Sequence, residues 1–221
     1  MTATPPPGWA VIIPVKPTSV GKSRLDLPTV DRVTLARAIA LDTIAAASAS
    51  AAVAQVYVVT DDAALIALAF DIPGLRFVPE DEGGGRLRGI DAAVAAGAEA
   101  AGEGMPRAAL LGDLPALRPG DLAAALTAAA AHERAVVADA EGTGTTLVTA
   151  GSGSPLLTAF GAVSYARHLA LGCVGLELEG ASTVRHDVDT AEQLALAGGL
   201  GLGPRTSALL ARDGSRAQTN R

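Results

Sequence analysis

Between residues 9 and 132 a short apolar run is followed four times by a stretch of small and aliphatic residues at helical spacing. The runs are 9–15, 55–60, 75–79 and 108–111, and the stretches that follow are 31–49, 63–69, 87–98 and 119–132. Strands joined through helices pair in parallel, and a parallel sheet is covered by helices on both faces. The chain is therefore expected to be an α/β protein, a three-layer α/β/α Rossmann-like sandwich with a mostly parallel central sheet. After residue 132 the rhythm breaks. Residues 135–140 and 145–150 read as strands joined by a four-residue turn with no helix between them, a small β-rich insertion. A short helix over 161–171, strands over 174–178 and 183–188, and a helix from Thr190 to Ala197 complete the expected elements.

In such sheets ligands bind outside the carboxyl ends of the strands, so the residues just past each run matter most. The fourth run stops at Gly112-Asp113-Leu114-Pro115, where the glycine admits another group to the backbone and the proline ends the strand. Asp113 is then either a turn residue or a ligand for a hard cation such as Mg2+. Asp187 and Asp189 close the expected strand 183–188, and alternate residues of a strand share a face, so both can point together. After the first run comes a loop with Lys16, Lys22, Ser23 and Arg24, donors suited to a triphosphate. Gly21-Lys22-Ser23 imitates the end of a P-loop, but Lys16 stands where that motif requires its first glycine. After the third run, Pro79 and Glu80 lead into a glycine loop containing Gly84, which lacks the spacing of a dinucleotide fingerprint. Asp61-Asp62 reads as a helix cap.

Composition narrows the classes. The 221 residues carry a net charge of -6, which argues against a nucleic-acid-binding surface. Only two of the 17 basic residues are lysines, and both lie in the first loop. One cysteine and three scattered histidines offer neither a disulfide nor a zinc spacing. Without a signal-like start or an apolar run long enough to span a bilayer, the expected location is cytoplasmic, with no membrane partner. The expected organisation is a flexible tail over 1–8, one domain over 9–198, and a partly disordered C-terminal segment over 199–221.

Val11-Ile12-Ile13-Pro14-Val15-Lys16, Gly21-Lys22-Ser23-Arg24-Leu25, Gly112-Asp113-Leu114-Pro115-Ala116-Leu117, Gly142-Thr143-Gly144-Thr145-Thr146 and Asp187-Val188-Asp189 together resemble the CofC/FbiD family. These are the 2-phospholactate and phosphoenolpyruvate guanylyltransferases of coenzyme F(420) biosynthesis. The resemblance implies a nucleotidyltransferase fold of glycosyltransferase A-like type and transfer of GMP from GTP to a phosphorylated three-carbon acid, releasing pyrophosphate. It implies that Asp113, Asp187 and Asp189 hold Mg2+, and that Thr145, Gly161 and Ser164 bind the acid, with Thr146 a competitor for Thr145. It further implies that Lys16, Lys22, Ser23 and Arg24 surround the triphosphate, that Pro79, Glu80 and Gly84 lie near guanine, and that Lys22, Arg24 and Asp113 are catalytic. Arg86-Leu87-Arg88 departs from the Gly-Leu-Asn that relatives often carry there. The alanine- and arginine-rich usage points to an actinobacterial lineage, in which the family is expected to use phosphoenolpyruvate and to pass its product to a lactyl transferase. The alternatives are 2-phospho-L-lactate as acceptor, a molybdenum-cofactor nucleotidyltransferase, and a non-catalytic nucleotide-binding protein.

Overall fold

The computed structural model describes residues 8–16, 25, 27, 30–80, 89–180 and 182–219, with the backbone alone from 213 onward. Lys22, Ser23, Arg24 and Gly84 lie outside the described residues. Seven strands form one sheet in the order β3-β2-β1-β4-β6-β5-β7. They are β1 Trp9–Pro14, β2 Val53–Val59, β3 Leu75–Val78, β4 Arg107–Leu110, β5 Arg134–Ala138, β6 Thr145–Ala150 and β7 Val174–Gly175. Every neighbouring pair is parallel except those made by β6, which runs antiparallel between β4 and β5. The β5–β6 hairpin expected as an insertion is thus part of the sheet itself.

Strand β1 is buried from end to end. Its odd residues Val11 and Ile13 pack with Leu41 and Ile44 of α1 (Arg32–Ser48) and Leu122 and Leu126 of α4 (Pro119–Ala129). Its even residues Ala10 and Ile12 face Ala93 of α3 (Ile90–Ala101). This two-sided burial is why the run is apolar without alternation. On the α3 face the helix comes very close: a Cβ on Gly97 would collide with Ile12 Cγ2 and stand 2.9 Å from Val59 Cγ2.

Helix α2 (Ala63–Leu68) starts at Asp62, whose carboxylate accepts from the amides of Ala64 and Leu65, as the cap reading expected. Arg37 also donates to it twice, at 2.9 and 3.0 Å. Two later strands differ from expectation. Of the one expected over 174–178 only Val174–Gly175 forms. Residues 183–188 do not form a strand: Thr183–Arg185 is a turn of 3₁₀ helix, followed by a segment without regular structure. The polar groups of Thr183 are taken by Asp121, with its amide at 2.9 Å and hydroxyl at 2.6 Å from Oδ2, which leaves no ladder for a strand to join. Helices α5 (Ser164–Ala170) and α6 (Ala191–Leu200) follow expectation, α6 opening with a Thr190–Gln193 capping box. Helix α7, Pro204–Thr219, occupies the segment expected to be partly disordered. Its start is capped by buried Asp42 of α1, which accepts from the amides of Arg205 and Thr206. No helix among the described residues is long and apolar enough to cross a membrane.

Gly97→Ala is expected to lower stability by about 1–3 kcal/mol through overpacking, although alanine is the better helix former by about 1 kcal/mol. A lower Tm or denaturation midpoint at unchanged helical signal is the check; an unchanged or raised midpoint would show that α3 can back away from β1.

Candidate active site at the carboxyl edge

The chain leaves β1 towards β2 and β3, then crosses to β4 on the other side, so the carboxyl ends of β1 and β4 diverge into a crevice at the reversal of strand order. A cleft of about 210 Å³ lies there, with Lys16, Gly112, Asp113 and Asp189 among its lining residues. Gly112 sits in tight packing. A Cβ there would lie 3.1 Å from Val15 Cγ2 and 3.2 Å from the Pro14 carbonyl oxygen. Lys16 is exposed, with its Nζ beside Gly89 at the start of α3. Pro79 and Glu80 follow β3 on the same edge, the Glu80 amide donating to Asp61 Oδ1 at 3.2 Å.

The sequence reading placed Asp187 and Asp189 at a strand end; they instead flank Val188 in the irregular segment after the 3₁₀ turn. Val188 is buried, and its amide donates to the Asp113 carbonyl at 3.0 Å, which carries both carboxylates to the loop after β4. The Asp189 amide donates to Gln193 Oε1 at 2.8 Å. The close acidic group differs from the expected three, of which it includes only Asp187. Carboxylate oxygens of Asp139, Glu141 and Asp187 lie within 4.8 Å of one another. Asp139 follows β5, accepts from the amides of Thr143 and Gly144 at 2.9 and 2.7 Å, and leaves no room for a side chain at 144. Glu141 accepts from Gln193 Nε2 at 2.9 Å. Asp139 was not singled out from sequence, because 135–140 read as one strand that contains it, whereas β5 ends at Ala138.

Burial raises the pKa of Asp187, and the charges of Asp113, Asp189 and Asp139 push it further, to about 8. One of its oxygens, Oδ1, is buried without a hydrogen-bond partner. A clustered set of oxygen donors with an orphaned carboxylate oxygen is what a hard divalent cation requires. This acidic group can therefore hold a divalent metal.

Thr145 starts β6. Because β6 runs antiparallel, its amino end lies on the same edge as the carboxyl ends of its neighbours. Register shifts between Val137 and Ala138, which pair with Leu147 and Thr145, so Thr146 is an extra residue in β6. Thr145 Oγ1 lies 3.1 Å from His168 Nδ1 in α5. Thr146 is fully buried, and its hydroxyl has no hydrogen-bond partner. Gly161 has φ +111. Val163, at φ 50, is the one non-glycine described residue in the left-handed region and precedes buried Ser164. The structure thus gathers Thr145, Gly161 and Ser164 around α5, and Lys16, Asp113 and Asp189 around the cleft.

Fold and edge define a nucleotide-transferring α/β protein, and the similarities agree. Residues 26–187 match the MobA-like NTP transferase domain. Two proteins named phosphoenolpyruvate guanylyltransferase are similar along nearly their whole lengths. The Streptomyces scabiei protein is 50% identical over 92% of this chain and 96% of its own. The one from Streptomyces coelicolor is 48% identical over the same shares. A crystal structure from Desulfovibrio desulfuricans G20, assigned as a nucleotide-diphospho-sugar transferase, has the same fold, with a TM-score of 0.65 at 15% identity over 94% of this chain and 95% of its own. The chain is a nucleotidyltransferase. It belongs to the phosphoenolpyruvate guanylyltransferase family.

In metal-free protein near pH 8, Asp187→Asn is expected to raise Tm, by about 2–4 °C for each kcal/mol of relieved repulsion. The folded-state pKa of Asp187 lies above the ordinary 3.8, so ionising it costs stability as pH rises from 3.8, fully so above about 8. The same substitution is expected to remove the stabilisation that Mg2+ gives the parent protein. A Tm lower than the parent's without metal, or an unaltered response to Mg2+, contradicts the assignment.

Proposed function

We propose that this protein transfers GMP from GTP to phosphoenolpyruvate, giving enolpyruvoyl-2-diphospho-5'-guanosine and pyrophosphate. The observation that carries the reading is the cleft at the β1/β4 reversal, which Lys16, Asp113 and Asp189 line together in a member of this family. An oxygen of the acid's phosphate attacks the α-phosphorus of GTP. A new P–O bond forms there, and the bond to the bridging oxygen of the leaving pyrophosphate breaks. The nucleophile is already an anion, so no protein base is needed, and catalysis rests on positioning and on electrostatic stabilisation.

In this reading Lys16, with Lys22, Ser23 and Arg24 from outside the described residues, holds the triphosphate. Pro79, Glu80 and Gly84 lie near guanine. Thr145, Gly161 and Ser164 hold the acid. Asp113, Asp187 and Asp189 hold Mg2+, with Asp139 and Glu141 completing the anionic surround; the ion offsets charge on the phosphoryl oxygens and on leaving pyrophosphate. The product passes to a lactyl transferase in coenzyme F(420) biosynthesis.

Pyrophosphate release from purified protein with Mg2+, each nucleoside triphosphate and either acid tests this directly. Release is expected with GTP and phosphoenolpyruvate. Release only with 2-phospholactate moves the acceptor, release only with a pterin acceptor moves the protein to molybdenum-cofactor chemistry, and none with GTP and either acid overturns the reading. Asp113→Asn is expected to lower kcat by about 10²–10³ while circular dichroism and Tm stay near the parent's. Near-normal turnover removes Asp113 from the metal site.

A further inference from the structure

His168 is fully buried in the middle of α5, and the reaction as proposed gives it no part. Both ring nitrogens are engaged. The Ala159 amide lies 2.8 Å from Nε2, and a backbone N–H can only donate, so Nε2 is the unprotonated acceptor. In a neutral imidazole the hydrogen then sits on Nδ1, 3.1 Å from Thr145 Oγ1. Burial lowers the pKa of His168 more than the nearby Asp91 carboxylate and a hydrogen bond to the Ser164 backbone raise it, and the Arg167 guanidinium adds to the lowering, so the neutral ring is favoured.

Thr145 is left with one direction of use. Its oxygen accepts from Nδ1–H, so its own O–H must donate elsewhere. The ring also anchors the other wall of the acid site, because Ala159 leads through Phe160 to Gly161. Phe160 packs edge-on against the ring with centroids 5.1 Å apart, its amide donates to Asp91 Oδ1, and its carbonyl accepts from Arg167 Nη1.

We propose that His168 is a positioning residue: fixed as the Nδ1–H tautomer by the Ala159 amide, it donates to Thr145 and so obliges that hydroxyl to present its proton to an anionic group of the acid substrate. The proposal rests on the reading that Thr145 binds the acid. Under it, selectivity for an anion comes from a neutral donor whose polarity is set one residue further back.

Two substitutions separate the two ring bonds. Asn places an amide donor near the position of Nδ1 and keeps the bond to Thr145. Gln places an acceptor near Nε2 and keeps the bond to Ala159. His168→Gln is expected to raise KM for phosphoenolpyruvate about tenfold, equivalent to about 1.4 kcal/mol, with KM for GTP unchanged. His168→Asn is expected to stay closer to the parent. Thr145→Val combined with His168→Gln is expected to be no worse than Thr145→Val alone, since both remove one interaction. Multiplying effects in the double variant, or an equal rise in KM for GTP, overturns the proposal. The tautomer is checked without turnover by ¹⁵N NMR of the histidine ring from about pH 6 to 8. An Nδ1–H signal supports the arrangement, and an Nε2–H or doubly protonated ring overturns it. Parent protein with no acid-dependent pyrophosphate release would overturn the functional reading, while the NMR result decides the orientation by itself.

Discussion

One main-chain hydrogen bond, from the Val188 amide to the Asp113 carbonyl, joins the two segments that bear the carboxylates facing the cleft. It works because the loop after β4 is held from behind. The Leu114 amide donates to Thr43 Oγ1, whose own hydroxyl donates to the Ile39 carbonyl one turn back in α1. The Pro115 carbonyl accepts from the Gly203 amide at 2.7 Å, just before α7. Buried polar groups are costly unless paired. Here the middle of α1 carries adjacent buried Asp42 and Thr43, one capping α7 and the other anchoring the loop. A helix with a plain apolar stripe could cover the sheet equally well. It could not fix Asp113.

The anchoring matters because the carboxylates repel one another. Asp187 bears burial and three neighbouring negative charges. Arg185, close in sequence, does not relieve this by hydrogen bonding, since its guanidinium donates to the carbonyls of Ala138 and Asp139. Its role is to hold the end of β5 against the 3₁₀ turn. Gln193 likewise links Glu141 to the amides of Asp189 and Thr190 without adding charge. Backbone groups, the Gln193 amide and a guanidinium bonded to carbonyls thus set the geometry with no ion pair to Asp187 among the described residues, as a cation site requires.

The four βα units and the importance of the carboxyl edge were legible because both follow from hydrophobic run length and from parallel connection. Asp113 was legible for the same reason. The place of β6 was not: a hairpin signal between 140 and 145 says that two strands are antiparallel, and carries nothing about which of them pairs with β4. Residues 183–188 read as a strand because threonine, valine and alternation favour one. The outcome was decided by Asp121, which is far away in sequence and takes both polar groups of Thr183. Asp42 could not be seen as a cap because it lies within one helix and caps another. His168 was invisible as a partner of Thr145 for a similar reason, since a lone histidine on a short helix carries no spacing signal.

The position of β6 explains how one edge can serve two opposite demands. Parallel strands bring their carboxyl ends to the edge, and β4 and β5 deliver Asp113 and Asp139 there. The antiparallel strand between them brings its amino end, and its extra residue at Thr146 accompanies the approach of Thr145 to α5. On the proposed reading the acid must lie close to a metal held by carboxylates, yet its phosphate oxygen must stay nucleophilic. An arginine at Thr145 would bind the acid more strongly, but it would stabilise ground state and transition state alike and draw charge from the attacking group. A hydroxyl oriented by a neutral imidazole supplies direction without that loss. The strand running against its neighbours brings such a donor to the edge between two carboxylate-bearing strand ends.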